Sequence, residues 1–313
     1  MMINKMMGIH HITAIVGHPQ ENVDFYAGVL GLRLVKKTIN FDDPGTYHLY
    51  FGDQGGKPGT IITFFPWAGA RQGRIGDGQV GVTSYVVPVG AMKFWEDRLK
   101  EYQVSTTRLE RFGEQYLIFD DPHGLHLEIV EREEGAKNEW TFGKVTADVA
   151  IKGFGGATLL STQPDKTAEL LEKVMGLELV GQEGDLIRFR STSDIGNVID
   201  LKLTSSGRGQ MGVGMVHHIA WRAKDDEDQL AWREHIASQG YGVTPVKDRN
   251  YFNAIYFKEQ GDILFEIATD PPGFVHDESL ETMGEQLMLP SQYEEYRARL
   301  EQELIPIEVR VID

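Results

Sequence analysis

The sequence predicts an α+β fold in which four βαβββ modules pair into two barrel-type domains. Three observations predict it. One order of signals recurs four times along the chain: an apolar run, a helical pattern, then three strand-like runs. A single βαβββ unit leaves one sheet face uncovered, so modules must pair and wrap a shared cavity. A chain of 313 residues also exceeds what one small core needs and suits two domains.

The first module, about residues 8–67, opens with GIHHITAIV, continues with the helical ENVDFYAGVLG and closes with LRLVKKTINF, YHLYFGD and GTIITFFPW. The second, about 79–132, runs VGVTSYVVPV, the helical AMKFWEDRLKEY, then VSTTRLERF, EQYLIFDD and LHLEIVER. The third, about 152–204, runs GFGGATLLST, DKTAELLEKVMG, LELVGQEG, LIRFRST and NVIDLKLT. The fourth, about 211–270, runs VGMVHHIAWRA, EDQLAWREHIASQG, VTPVKDR, NAIYFKEQ and DILFEIATD. Gly31, Gly176 and Gly240 follow apolar helical residues, where helix C-termini favour glycine. The turns DPHG and EQGD join the last two strands of the second and fourth modules. The charged stretch Glu133–Asn138 reads as a linker, so the expected domains are 8–132 and 152–270, each a pair of consecutive modules. The tail, 271–313, contains SQYEEYRARLEQEL, an expected amphipathic helix covering an edge or a partner.

Composition narrows the function classes. With 47 acidic against 31 basic residues, the formal charge of −16 repels phosphate backbones and anionic membranes, which argues against nucleic acid as a partner. Cysteine is absent, so disulfides, thiolate ligands and a cysteine nucleophile drop out. Any metal must then be held by imidazole, carboxylate and water. The opening MMINKMMGIHH carries no apolar run of signal-peptide length, and no stretch is long enough for a membrane-spanning helix; a cytoplasmic location is expected. A homo-oligomer stays open.

The chemistry concentrates in two histidine pairs, His10–His11 and His217–His218, in the phrases HHITAI and HHIAWR on the first strands of modules one and four. Neighbouring strand residues face opposite sides, so one imidazole of each pair is expected to point into the cavity. Aligning the modules puts Val82 and Gly156 at the place of His11 and His218, and puts Thr63, Glu128, Asp200 and Glu266 at one place on the last strands. Only module four carries both a histidine and a glutamate, and module one adds a symmetric histidine. His11, His218 and Glu266 thus form a candidate two-imidazole, one-carboxylate set that leaves positions open for substrate and oxygen. It suits Fe(II), with Mn(II) and Zn(II) as alternatives. Glu266, inside the apolar ILFEIA, carries a heavy desolvation cost unless paired or metal-bound. Glu128 in HLEIVE has no matching histidine and reads as salt-bridged or exposed. The bland reading of a histidine pair is one buried, hydrogen-bonded ring beside one exposed ring; two pairs at symmetric places favour a metal site.

Four such modules, HHITAI near the start, and VHHIAW with LFEIAT near the end resemble the vicinal oxygen chelate superfamily of glyoxalases, bleomycin-resistance proteins and extradiol dioxygenases. Within it, VKKTINFDDPGTYHLYFGD, PGTIITFFPW and DRNYFNAIYF resemble the ring-cleaving hydroquinone dioxygenases. The resemblance, from about His10 to Pro272, implies two glyoxalase-like domains and a non-haem Fe(II) on His11, His218 and Glu266. It also implies roles beside the ligands for His10, His217, Arg249 and Tyr256, with a small aromatic substrate and O2 as reactants. Tyr256 or a histidine suits proton transfer, and Arg249 suits stabilising negative charge on oxygen. The plainer alternatives are an ion pair of Arg249 with an acid such as Asp248, and core packing for Tyr256 and for His48. Two other readings remain. A glyoxalase-type lyase or isomerase would want a second carboxylate ligand, which Thr63 cannot supply, and a small-molecule sequestering protein would need no His–His–Glu set.

Overall fold

The computed structural model describes residues 5–312. Module one comprises β1 (Ile9–Val16), α1 (Pro19–Val23), β2 (Arg33–Asn40), β3 (Asp43–Gly52) and β4 (Ile61–Pro66). Module two comprises β5 (Gln79–Val87), α2 (Met92–Glu101), β6 (Thr107–Arg111), β7 (Glu114–Asp120) and β8 (His126–Glu131). Module three comprises β9 (Gly153–Leu160), α3 (Pro164–Glu169), β10 (Glu178–Glu183), β11 (Leu186–Arg190) and β12 (Val198–Lys202). Module four comprises β13 (Met215–Ala223), α4 (Asp226–Ser238), β14 (Lys247–Asp248), β15 (Phe252–Lys258) and β16 (Leu264–Pro272).

Local chemistry starts and stops these elements. The His18 ring accepts from the Gln20 amide ahead of Pro19, whose missing N–H costs nothing in a first turn. The helix then widens into a π-type turn over Asp24–Val29 and stops at Gly31, which adopts φ +70°. Asp225 caps α4 by accepting from the Asp228 amide. The expected strand VTPVKDR shrinks to the two residues of β14, because Pro245 has no N–H to donate to a ladder. In the tail, a tight turn over Ser291–Tyr296 leads into α5 (Arg297–Glu303), whose Leu300 is buried.

The modules form two eight-stranded curled sheets, ordered β14-β15-β16-β13-β1-β4-β3-β2 and β10-β11-β12-β9-β5-β8-β7-β6. This corrects the expected pairing of consecutive modules: module one shares its sheet with module four, and module two with module three. Inside each module the first strand runs parallel to the last, which leaves the other edge of the first strand open. Open edges pair two by two, β1 with β13 and β5 with β9, both antiparallel. The connections between modules carry no tight hairpin that would force neighbours in sequence to be neighbours in a sheet.

One face of each sheet packs under the helices; Tyr26, Phe51, Phe64, Trp95, Phe154 and Trp221 are buried there. The other face of the module one–four sheet surrounds a cavity. Among the described residues, no helix is long and apolar enough to cross a membrane.

Candidate metal centre

Strand register brings the three candidate ligands together. His11 on β1 lies opposite Ala220 on β13, and Ala220 lies beside Glu266 on β16. His218, two residues before Ala220, occupies the same sheet face. One ligand atom from each of His11, His218 and Glu266 lies within 4.8 Å of the other two. The Nε2 atoms of His11 and His218 are 3.4 Å apart, and Glu266 Oε2 sits 2.8 Å from His218 Nε2 and 3.6 Å from His11 Nε2. The two rings stand nearly perpendicular, at 82°.

Each doublet has a second contact. His10 Nδ1 is 2.9 Å from His11 Nδ1, and His217 Nδ1 is 2.8 Å from His218 Nδ1. Only one nitrogen of each touching pair can carry the shared proton. With it on the His11 and His218 side, both Nε2 lone pairs are free for a cation, the usual way an outer partner fixes a ligand's tautomer. Burial pushes His218 and His10 below the ordinary histidine range and brings His217 down to about 4. Burial by itself would raise the Glu266 carboxyl, but the His11 and His218 imidazoles outweigh it and hold it well below the carboxylate range.

This donor set fits a divalent cation. Both carboxylate oxygens of Glu266 are buried and lack an aligned hydrogen-bond donor, despite the short approach of His218. An ionised carboxylate that is fully buried, in a cavity wall shared with Phe252, Tyr256 and Leu264, is costly without a counter-charge, and a metal with neutral imidazole ligands supplies one.

The three ligands open onto a cavity of about 440 Å³, whose wall includes His48, Tyr50, Phe65, Trp67, His217, Arg249, Phe252 and Tyr256. His10 does not line it, whereas His217 does. The expectation of one inward ring per doublet therefore holds for the first pair and fails for the second, where His217 reaches the cavity and meets the edge of Phe65. Tyr256 on β15 is the register neighbour of Glu266. Its hydroxyl accepts from Arg249 Nε at 3.2 Å, and burial, then Glu266, push its phenol well above the usual range. Arg249 also donates to Asp42 at 3.1 Å across the cavity mouth. Its ion-pair partner is thus Asp42 rather than the neighbouring Asp248, whose carboxylate accepts from the Asn250 amide. Sequence reasoning missed Asp42, Tyr50, Phe65, Trp67 and Phe252. Tyr50 was accessible to it, since counting along the repeat places it where Tyr256 stands in module four.

The model of the Glyoxalase/Bleomycin resistance protein/Dioxygenase superfamily matches residues 8–129 and 153–275. The chain belongs to this superfamily. Across its full length, and the full length of the relative, it is 78% identical to a Bacillus subtilis (strain 168) protein provisionally named ring-cleaving dioxygenase MhqO. It is 34% identical over 300 residues, 93% of each chain, to the chlorohydroquinone/hydroquinone 1,2-dioxygenase of Sphingobium indicum. A crystal structure provisionally titled as a dioxygenase from Bacillus subtilis superposes with a TM-score of 0.98 at 79% identity, covering 99% of this chain and 100% of that one. Maize glyoxalase I, with a TM-score of 0.63 at 13% identity over 84% of this chain and 92% of its own, shares the fold. The resemblance read from the motifs is borne out.

This superfamily member carries two related sheets, and its second sheet shows what happens without the histidines. Glu128 and Asp200 hold the register positions of Glu266: Ser84 pairs with Glu128 and Thr158 with Asp200, as Ala220 pairs with Glu266. Arg111 clasps Glu128 with both terminal nitrogens, at 2.9 and 2.6 Å, and donates to Asp200 at 3.0 Å. Arg188 holds Asp200 at 2.7 and 2.9 Å. Glu128 is therefore salt-bridged, one of its two expected states. Gly156, at the place of His218, has φ +151°, and a Cβ there would lie 2.1 Å from the Val198 carbonyl oxygen. No imidazole fits.

Proposed function

We propose that this chain is a ring-cleaving dioxygenase that opens hydroquinones or catechols with O2, using Fe(II) held by His11, His218 and Glu266. The observation that carries this reading is the convergence of two imidazoles and one buried, otherwise unpartnered carboxylate at the floor of an aromatic-walled cavity. When bound, such a metal supplies Lewis acidity toward a phenolic oxygen and an electron path between ring and dioxygen.

The protein's own groups do the rest. Phe65, Trp67 and Phe252 offer flat apolar walls to an aromatic ring and keep bulk water away. His217, neutral near pH 7 and accepting at Nδ1 from His218, carries its own proton on Nε2 and offers it from the cavity wall to a substrate oxygen. Arg249 offers positive charge to a substrate phenolate, and Tyr256 keeps its proton and offers it as a hydrogen bond. His10, out of reach of any substrate, orients His11 through its Nδ1 contact.

The test is anaerobic reconstitution with Fe(II), addition of methylhydroquinone or catechol, and then admission of oxygen. Oxygen uptake should accompany a ring-opened chromophore, and His218→Ala should lower the rate by at least ~100-fold, since it removes a ligand. Binding of phenols without oxygen consumption would point to a sequestering protein. Turnover of a glutathione hemithioacetal with Zn(II) or Ni(II) would point to a lyase.

A further inference from the structure

Module one contributes a second polar arm to the cavity. Thr63 stands in β4 where Glu266 stands in β16, and its register neighbour is Tyr50, as Tyr256 is that of Glu266. The module repeat therefore sets two tyrosines on opposite sides of one cavity. Tyr256 is bound to Arg249. Tyr50 is bound differently: its hydroxyl is 2.8 Å from His48 Nδ1, His48 Nε2 is 2.8 Å from Thr63 Oγ1, and Thr63 Oγ1 is 2.8 Å from Thr13 Oγ1. The unbroken line from Thr13 to Tyr50 begins on β1, two residues past His11.

Proton counting defines what this line presents. A neutral imidazole has one N–H and one acceptor nitrogen, so the two links through His48 must point the same way, and the threonine hydroxyls can follow. If Tyr50 donates to His48, then His48 donates to Thr63 and Thr63 to Thr13; the Tyr50 oxygen then faces outward as an acceptor. If the line runs the other way, His48 donates to Tyr50, whose own proton is free to be given away. Burial, then the neighbouring His11, keeps His48 neutral and so able to sit in either direction. The His48 ring, packed 4.0 Å from Tyr50 and 4.5 Å from Phe65, has no nitrogen left over for a guest. Tyr50 has a spare valence, and it lines the cavity.

We propose that Tyr50, oriented by His48 and Thr63, binds the substrate hydroxyl that lies remote from the metal and so selects 1,4-dihydroxylated rings over rings without a far hydroxyl. This rests on the ring-cleavage reading for what occupies the cavity. A hydroquinone with one oxygen at the His11–His218–Glu266 end carries its other hydroxyl across the ring, where leaving it unpaired in an apolar-walled cavity is costly. A catechol keeps both oxygens at the same end. Tyr50 meets a far hydroxyl as acceptor or donor, because its hydrogen-bonded line reverses.

The experiment is equilibrium binding of hydroquinone, phenol and catechol to the Fe(II)-loaded protein under anaerobic conditions, in the wild type, Tyr50→Phe and His48→Gln. Wild type should bind hydroquinone about tenfold more tightly than phenol, the worth of one buried hydrogen bond. Tyr50→Phe should erase that ratio while shifting phenol and catechol by less than about twofold. His48→Gln should reduce the ratio part-way, by about threefold. A wild-type ratio near one overturns the proposal without recourse to any variant. Equal weakening of all three ligands in Tyr50→Phe overturns it too, since that is what loss of packing would do. If the binding pattern holds but no diol drives oxygen uptake in the wild type, the ring-cleavage reading fails and the subsite stands.

Discussion

At the scale of single residues, the two histidine doublets divide the work of one site. The second ring of each supplies an Nε2 atom to the cluster around Glu266, and the first meets it Nδ1 to Nδ1. If His217 fixes the His218 tautomer, His217→Ala should weaken divalent metal binding by ~10–100-fold, measurable by competition with a chromophoric chelator. Unchanged affinity would remove His217 from metal support and leave it only the cavity wall. The doublets and the buried glutamate were legible in the sequence because histidines at two symmetric places, with a carboxylate in an apolar strand, are costly without a purpose. Tyr50 and Asp42 were not singled out. A tyrosine in YHLYF reads equally well as core, and an exposed aspartate in a hairpin carries no signal until Arg249 arrives from the connection after β14, far along the chain.

At the scale of elements, each first strand decides whether its module can host chemistry. β1 and β13 carry a histidine at the key position; β5 carries Val82, and β9 carries Gly156 against Val198. Gly156→Ala would force a Cβ into the Val198 carbonyl at a φ that side chains rarely adopt. It should destabilise the protein by about 2 kcal/mol or more, read from denaturant midpoints. A neutral effect would show that β9 shifts freely against β12. The order of helices and strands in all four modules was readable from periodicity and turn residues. β14 fell short of its reading because a proline in VTPVKDR leaves hydrophobic alternation intact while removing a ladder donor.

For the whole molecule, the two sheets face different solvent conditions on their inner sides: one encloses a cavity, the other a network of Arg111, Arg132, Arg188, Glu114, Glu128 and Asp200. Burial would raise the Glu114 carboxyl, but Arg132, Tyr116 and Arg188 together bring it down to about 2 from an ordinary 4.5. The unfolded chain therefore takes up this proton at higher pH than the folded one. The resulting stability is complete above about pH 4.5 and is lost as pH falls toward 2. Thermal unfolding between pH 5 and 2 should accordingly show a shallower acid dependence in Glu114→Gln than in wild type, and the variant should melt lower at pH 7. Parallel acid profiles would mean that Glu114 titrates normally.

By itself, the sequence determined the repeated module, the absence of thiol chemistry, and which side chains had to be paid for by something buried beside them. Those are local properties, set by periodicity, turn chemistry and the desolvation cost of charge. Which modules share a sheet was decided only in the tertiary structure. The open edges of β1, β5, β9 and β13 are chemically alike, and no tight turn ties consecutive modules together. The pairing of β1 with β13 is what carries His11 to within reach of His218 and Glu266, more than two hundred residues along the chain.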